Sequence, residues 1–88
     1  MDARPANFFE EGHIRGAINL PLAIFDFMYD MKLGQRDKSK EIIIYGRTIS
    51  RHYDEIVAEK LVARGFKNVK ILKDGIQGWK SRRYPVEP

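Results

Sequence analysis

Glu41-Ile-Ile-Ile-Tyr-Gly-Arg-Thr-Ile-Ser-Arg-His-Tyr-Asp-Glu-Ile-Val-Ala-Glu-Lys-Leu61 is the stretch whose reading decides the fold. Ile42, Ile43, Ile44 and Tyr45 are β-branched or aromatic without polar alternation, the pattern of a strand buried on both faces. A polar, twice-basic segment runs over residues 46–53. After it, Val57, Ala58, Leu61 and Val62 recur at helical spacing and predict a helix with one apolar stripe, closed at Gly65. Strand, short loop, helix is the order in which an α/β protein builds a ligand site. The loop lies at the carboxyl end of a strand, and the free N–H groups of the next helix point into it.

Working outward toward the N-terminus, Pro5 suits the first turn of a short helix over residues 5–11, which Gly12 ends. Residues 13–21 read as a glycine-punctuated turn and a very short strand at 17–19, stopped by Pro21. Residues 22–33 hold Leu22, Ile24, Phe25, Phe27, Met28, Tyr29, Met31 and Leu33, too many apolar positions for one narrow stripe. This segment is either a helix buried on most sides or one with an exposed hydrophobic face. Toward the C-terminus, residues 67–72 predict a strand and residues 76–82 a short helix, followed by an extended tail at 84–86. Strands and helices alternate throughout. The class is therefore α/β with a mainly parallel sheet in a single domain over residues 1–88, with right-handed crossovers placing helices on both faces.

Composition removes several functions. Eighty-eight residues make one modest core, and a 43% apolar fraction argues for a folded chain. There is no cysteine, which excludes disulfides, thiolate metal sites and thiol catalysis. His13 and His52 are too few for a structural zinc site, and no cofactor or metal is expected. The net charge is +4, but acids at Glu10, Glu11, Asp26, Asp30, Asp37, Asp54, Glu55 and Glu59 interrupt the basic residues, so neither nucleic acid nor membrane is an expected partner. The compartment stays open, a cytoplasmic one being favoured over a periplasmic one for a soluble chain.

The order of signals resembles the rhodanese domain. Asp2-x-Arg4 followed by Phe9-x-x-Gly12-His13-Ile14-x-Gly16-Ala17-Ile18-Asn19-x-Pro21 resembles its front half. Residues 42–61 resemble its active-site segment. Gly65-Phe-x-Asn68-Val69-x-x-Leu72-x-x-Gly75-Ile76-x-x-Trp79, with Tyr84-Pro85-Val86, resembles its back half. The resemblance implies a three-layer α/β/α fold that here lacks the family's N-terminal strand and helix, as if trimmed. It also implies a sheet with unpaired backbone beside residues 42–45, open to strand exchange, dimerisation or rearrangement.

Rhodaneses are sulfurtransferases in which a cysteine directly after the central strand carries sulfane sulfur as a persulfide. The surrounding loop N–H groups and helix N-terminus lower that thiol's pKa. At the matching place this chain has Gly46. The resemblance therefore implies no catalytic residue. Related phosphatases and arsenate reductases use the same cysteine, so their activities are lost as well. The expected role is a binding or regulatory module, inactive as a sulfurtransferase. Gly46, Arg47, Thr48, Ile49, Ser50 and Arg51 form a residual ligand loop for a small oxyanion such as thiosulfate, sulfite or phosphate, braced by Asp2 and Arg4. Ile49 stands where the family often has glycine. Against the oxyanion reading, Ser50 or Asp54 caps the helix, and the acids Asp54 and Glu55 already complement its dipole.

Two alternatives remain: a thiosulfate sulfurtransferase whose nucleophile was lost or replaced, and a pure protein-interaction domain. The latter, or a homo-oligomer, would use Phe25, Phe27, Met28, Tyr29 and Met31, or the open sheet edge. His13 is expected to fix its turn by a local hydrogen bond, and Trp79 to anchor the core.

Overall fold

The computed structural model describes residues 1–48 and 51–88. In chain order these hold α1 (Ala6–Glu11), β1 (His13–Ile14), a 3₁₀ turn (Leu22–Ile24), α2 (Phe25–Leu33), β2 (Ile42–Ile44), α3 (Tyr53–Ala63), β3 (Val69–Ile71), α4 (Gly75–Ser81) and β4 (Val86–Glu87). β2 and β3 pair in parallel with Ile42 opposite Val69. On the other side of β2, Asp2 makes parallel bridges to both Tyr45 and Asn19. The parallel order is therefore β3, β2, residues 1–3, then Asn19. β1 and β4 form a separate antiparallel pair, with His13 opposite Glu87. The sequence did not announce that pairing, because two-residue strands carry no measurable period.

The expectation of unpaired backbone beside residues 42–45 is corrected over most of its length. Tyr45 N donates to Met1 O and Ala3 N to Tyr45 O, each at 2.9 Å, and the Met1 ammonium donates to Ile43 O at 2.7 Å. Residues 1–3 thus serve as the inner strand. Burial lowers the pKa of that ammonium below its ordinary value. The expectation that β2 is buried on both faces is corrected as well. Ile42 and Ile44 point into the core, whereas Ile43 is 47% exposed. One face is closed by Phe25, Tyr29 and Leu33 of α2 and by Val57, Ala58 and Leu61 of α3, with Phe66, Ala3 and Leu20 completing the core. The opposite face is thinner: Ile43, Tyr45 and Leu72 border a 260 Å³ hollow with Trp79.

That packing splits the apolar segment of residues 22–33. Phe25 and Tyr29 are core residues, so their assignment to a partner surface is corrected: at a spacing of four they lie on the helix face that meets α3. Met28 is half-buried, while Phe27 and Met31 are 82% and 75% exposed. Arg64 sits 4.1 Å from the Tyr29 ring centroid and donates to Asp26 at 3.0 Å, tying the end of α3 to α2. α3 stops where Gly65 turns to φ +99°, a conformation that favours glycine. Trp79 is not the core anchor expected. It is half-buried, stacks edge-on with Tyr84 at 4.8 Å and donates to Pro85 O at 2.7 Å, pinning the tail.

Candidate functional site

The loop after β2 starts on Gly46, buried and at φ +149°. A Cβ added there would lie 3.1 Å from Ala3 Cβ and 3.3 Å from the backbone nitrogens of Ala3 and Arg4. The strand end is thus threaded against residues 3–4 in a conformation that side-chain-bearing residues rarely adopt. Arg47 follows and is bound within the chain. Its Nη2 donates to Glu55 Oε1 at 3.1 Å, and its Nε faces Asp54 Oδ2 at 3.4 Å without a hydrogen bond. Asp54 is fully buried and accepts the Glu55 N–H through its own Oδ1, at 2.8 Å. His52 Nδ1 lies 3.5 Å from the second oxygen of Glu55.

Thr48 and Arg51 close the loop on each other. Thr48 N donates to Arg51 O at 2.8 Å, and Arg51 N donates to the Thr48 hydroxyl at 3.0 Å. The Arg51 guanidinium lies over the Tyr53 ring, 5.5 Å from its centroid, and has no acidic partner among the described residues. The expected ligand residues Ile49 and Ser50 lie outside the described residues. Arg47 and Thr48 line a cavity of about 630 Å³, whose other walls include Arg4, Phe8, Tyr53, Ile76 and Gln77. Phe8, Ile76 and Gln77 were not among the sequence-predicted site residues. Their contact is made only by folding, with no local signal in the chain.

Asp2 and Arg4 form a buried knot. Arg4 Nη2 donates to Asp2 Oδ2 at 2.8 Å and to Gly12 O at 2.8 Å, while Arg4 N donates to Asp2 Oδ1 at 2.9 Å. Tyr45 donates its hydroxyl to Asp2 Oδ2 at 2.8 Å and accepts the Ile14 N–H at 3.1 Å. Asn19 Nδ2 donates to the carbonyls of Asp2 and Arg4. The knot joins the end of β2, the inner strand and the turn after α1. Burial opposes the Arg4 charge, but its hydrogen bonds to Asp2 outweigh this and raise its pKa. Burial raises that of Tyr45 well above the usual phenol range. His13 Nδ1 is 2.9 Å from Phe9 O, and its ring stacks on Phe9 at 3.6 Å.

The rhodanese-like domain family model matches residues 1–82. The chain belongs to the rhodanese-like domain family. A thiosulfate sulfurtransferase, GlpE of Coxiella burnetii, is 36% identical over 91% of this chain and 69% of its own length. An uncharacterised Buchnera aphidicola protein is 35% identical, with 98% of this chain aligned to 58% of that protein. The dual specificity phosphatase Cdc25 of Arabidopsis thaliana is 29% identical, matching 98% of this chain and 64% of itself. The chain therefore spans about three-fifths of the length of these last two relatives. Among solved structures, the rhodanese-like domain of the Anabaena Alr3790 protein superposes with a TM-score of 0.82 at 29% identity, covering 99% of this chain and 77% of that one. This rhodanese-like domain contains no cysteine. Among the described residues no helix is long and apolar enough to cross a membrane.

Proposed function

We propose that this rhodanese-like domain is a binding or regulatory module without sulfurtransferase activity, and that the loop of Gly46, Arg47, Thr48, Ile49, Ser50 and Arg51 retains an oxyanion site braced by Asp2 and Arg4. One observation carries the reading: Gly46 opens the loop after β2 in a chain that has no cysteine. Sulfane sulfur transfer needs a thiolate, because no hydroxyl stores sulfur as a persulfide. The activities named for the sulfurtransferase and phosphatase relatives therefore do not carry over if they rest on a cysteine in this loop. The oxyanion reading is supported by Arg47 and Thr48 on the wall of one cavity and by α3 starting immediately behind them. The ligands proposed are thiosulfate, sulfite and phosphate. The test has two steps. In a thiosulfate:cyanide assay the protein forms no thiocyanate above the uncatalysed rate, and measurable turnover overturns the inactive reading. In a ¹H–¹⁵N titration with the three anions, saturable shifts confined to the amides of residues 46–53 are expected, and a flat titration overturns the oxyanion site.

A second reading is favoured by the exposure of Phe27 and Met31, four residues apart on one face of α2. On that reading the domain self-associates through this face or through the sheet edge formed by β3. Sedimentation equilibrium decides it: a dimer lost on Phe27→Ser supports the α2 face, and a monomer throughout removes both.

A further inference from the structure

We propose that Glu55 is the resident anion of this loop, a built-in competitor that any ligand must displace from Arg47. The inference rests on the oxyanion reading above and sharpens it. Arg47 is the loop cation that lines the cavity, yet its Nη2 is held at 3.1 Å by Glu55 Oε1. The two acids at the start of α3 differ in what they are free to do. Asp54 is fully buried, with one oxygen on the Glu55 N–H and the other 3.4 Å from Arg47 Nε, so it stays as a fixed counter-charge under the guanidinium. The Glu55 side chain is half exposed and, among the described residues, is held otherwise only by His52 Nδ1 at 3.5 Å. It swings into water at small cost, because exposed ion pairs are weak. Glu55 holds Nη2 through a single oxygen, a place that one oxygen of an incoming oxyanion can take. Displacing it frees Nη2 for another anion and leaves Nε beside Asp54.

Two arginines then line the cavity, Arg47 over its buried acid and Arg4 already paired with Asp2. Binding is consequently weaker than two arginines and a helix start suggest, and it depends on the charge at position 55 rather than on its size. Glu59, one turn further along the helix and exposed, makes no ion pair among the described residues, which makes it a matched control.

The experiment compares the unmodified protein with Glu55→Gln and Glu59→Gln, by amide titration with inorganic phosphate and by the rate at which phenylglyoxal modifies Arg47, followed by peptide mass spectrometry. Glu55→Gln keeps the side chain's shape and removes its charge. The expected result is phosphate binding tightened roughly three- to fivefold and faster Arg47 modification in Glu55→Gln alone, a gain of the size that exposed ion pairs contribute. Unchanged affinity and unchanged modification in Glu55→Gln overturn the competitor while leaving the oxyanion site standing, provided phosphate still binds. Faster modification with no phosphate binding in any variant overturns the oxyanion site, and with it the competitor, leaving the ion pair as a helix-start contact. Equal gains in Glu59→Gln overturn the specific role of Glu55 in favour of net charge.

Discussion

Replacing Gly46 with alanine separates two accounts of this domain: a rhodanese fold with a vacant cysteine position, and a fold whose strand end has been rebuilt around glycine. The vacant-position account expects a methyl group to be neutral. The structure expects otherwise. Gly46 sits at φ +149°, and holding a non-glycine residue in such a region costs about 1–3 kcal/mol. The added Cβ also meets Ala3 Cβ at 3.1 Å and the nitrogens of Ala3 and Arg4 at 3.3 Å. Those nitrogens cannot retreat freely, since they donate to Tyr45 O and Asp2 Oδ1 at 2.9 Å. A loss of about 2–3 kcal/mol follows. In a domain of this size that corresponds to a fall in Tm of roughly 8–24 °C. Urea unfolding by circular dichroism with m held constant measures it. Gly46→Cys suffers the same strain and is expected to show no thiosulfate:cyanide activity, because the cation beside it, Arg47, is already neutralised by Asp54 and Glu55 and no longer lowers a thiol pKa. A Gly46→Ala change within about 0.5 kcal/mol of zero, together with turnover by Gly46→Cys, would refute the reasoning.

Tyr45→Phe removes a hydroxyl that donates to Asp2 and accepts from Ile14 N, at an expected cost of about 1–2 kcal/mol near neutral pH in thermal unfolding. Because the folded Tyr45 pKa is raised, its neutral phenol contributes stability that is complete below the ordinary tyrosine pKa of about 10 and is lost as pH rises above it. The variant is therefore expected to lose less stability than the unmodified protein between about pH 10 and 12. Asp2→Asn leaves Arg4 as a buried cation without its carboxylate and is expected to cost about 3–5 kcal/mol by denaturant unfolding, far more than an exposed pair. Leu61→Ala, at a fully buried position between α3 and the sheet, is expected to cost about 2–5 kcal/mol in the same assay and to leave any anion titration of residues 46–53 unaltered.

How much of this was legible before folding depended on the range of the interaction. The strand–loop–helix around Gly46 was readable because its signals are local: β-branched and aromatic residues over 42–45, then apolar positions at helical spacing, then a glycine stop at Gly65. The ordered motifs from Asp2 to Trp79 carried the family, which the match over residues 1–82 establishes. Contacts between distant segments were not readable. Nothing local says that Tyr45 reaches Asp2 across 43 positions, or that β4 returns to pair with β1. The apolar run of α2 illustrates the same limit. Its composition marked it as special, but only the placement of α3 decided that Phe25 and Tyr29 go inward while Phe27 and Met31 stay out.

The acids at the start of α3 form the step on which sequence and structure meet. From the sequence, Asp54 and Glu55 are equivalent first-turn residues that complement the helix dipole. Folding makes them unequal: one is sealed beneath Arg47, the other half in water on its outer edge. A fully exposed pair of acids would leave Arg47 free to solvate, and two buried ones would fix it permanently. One of each leaves a guanidinium that is held, but held by a group able to let go. In the proposed reading, that asymmetry, rather than the missing thiol alone, is what separates a loop that exchanges partners from one that is only a cap. It places the functional question at position 55.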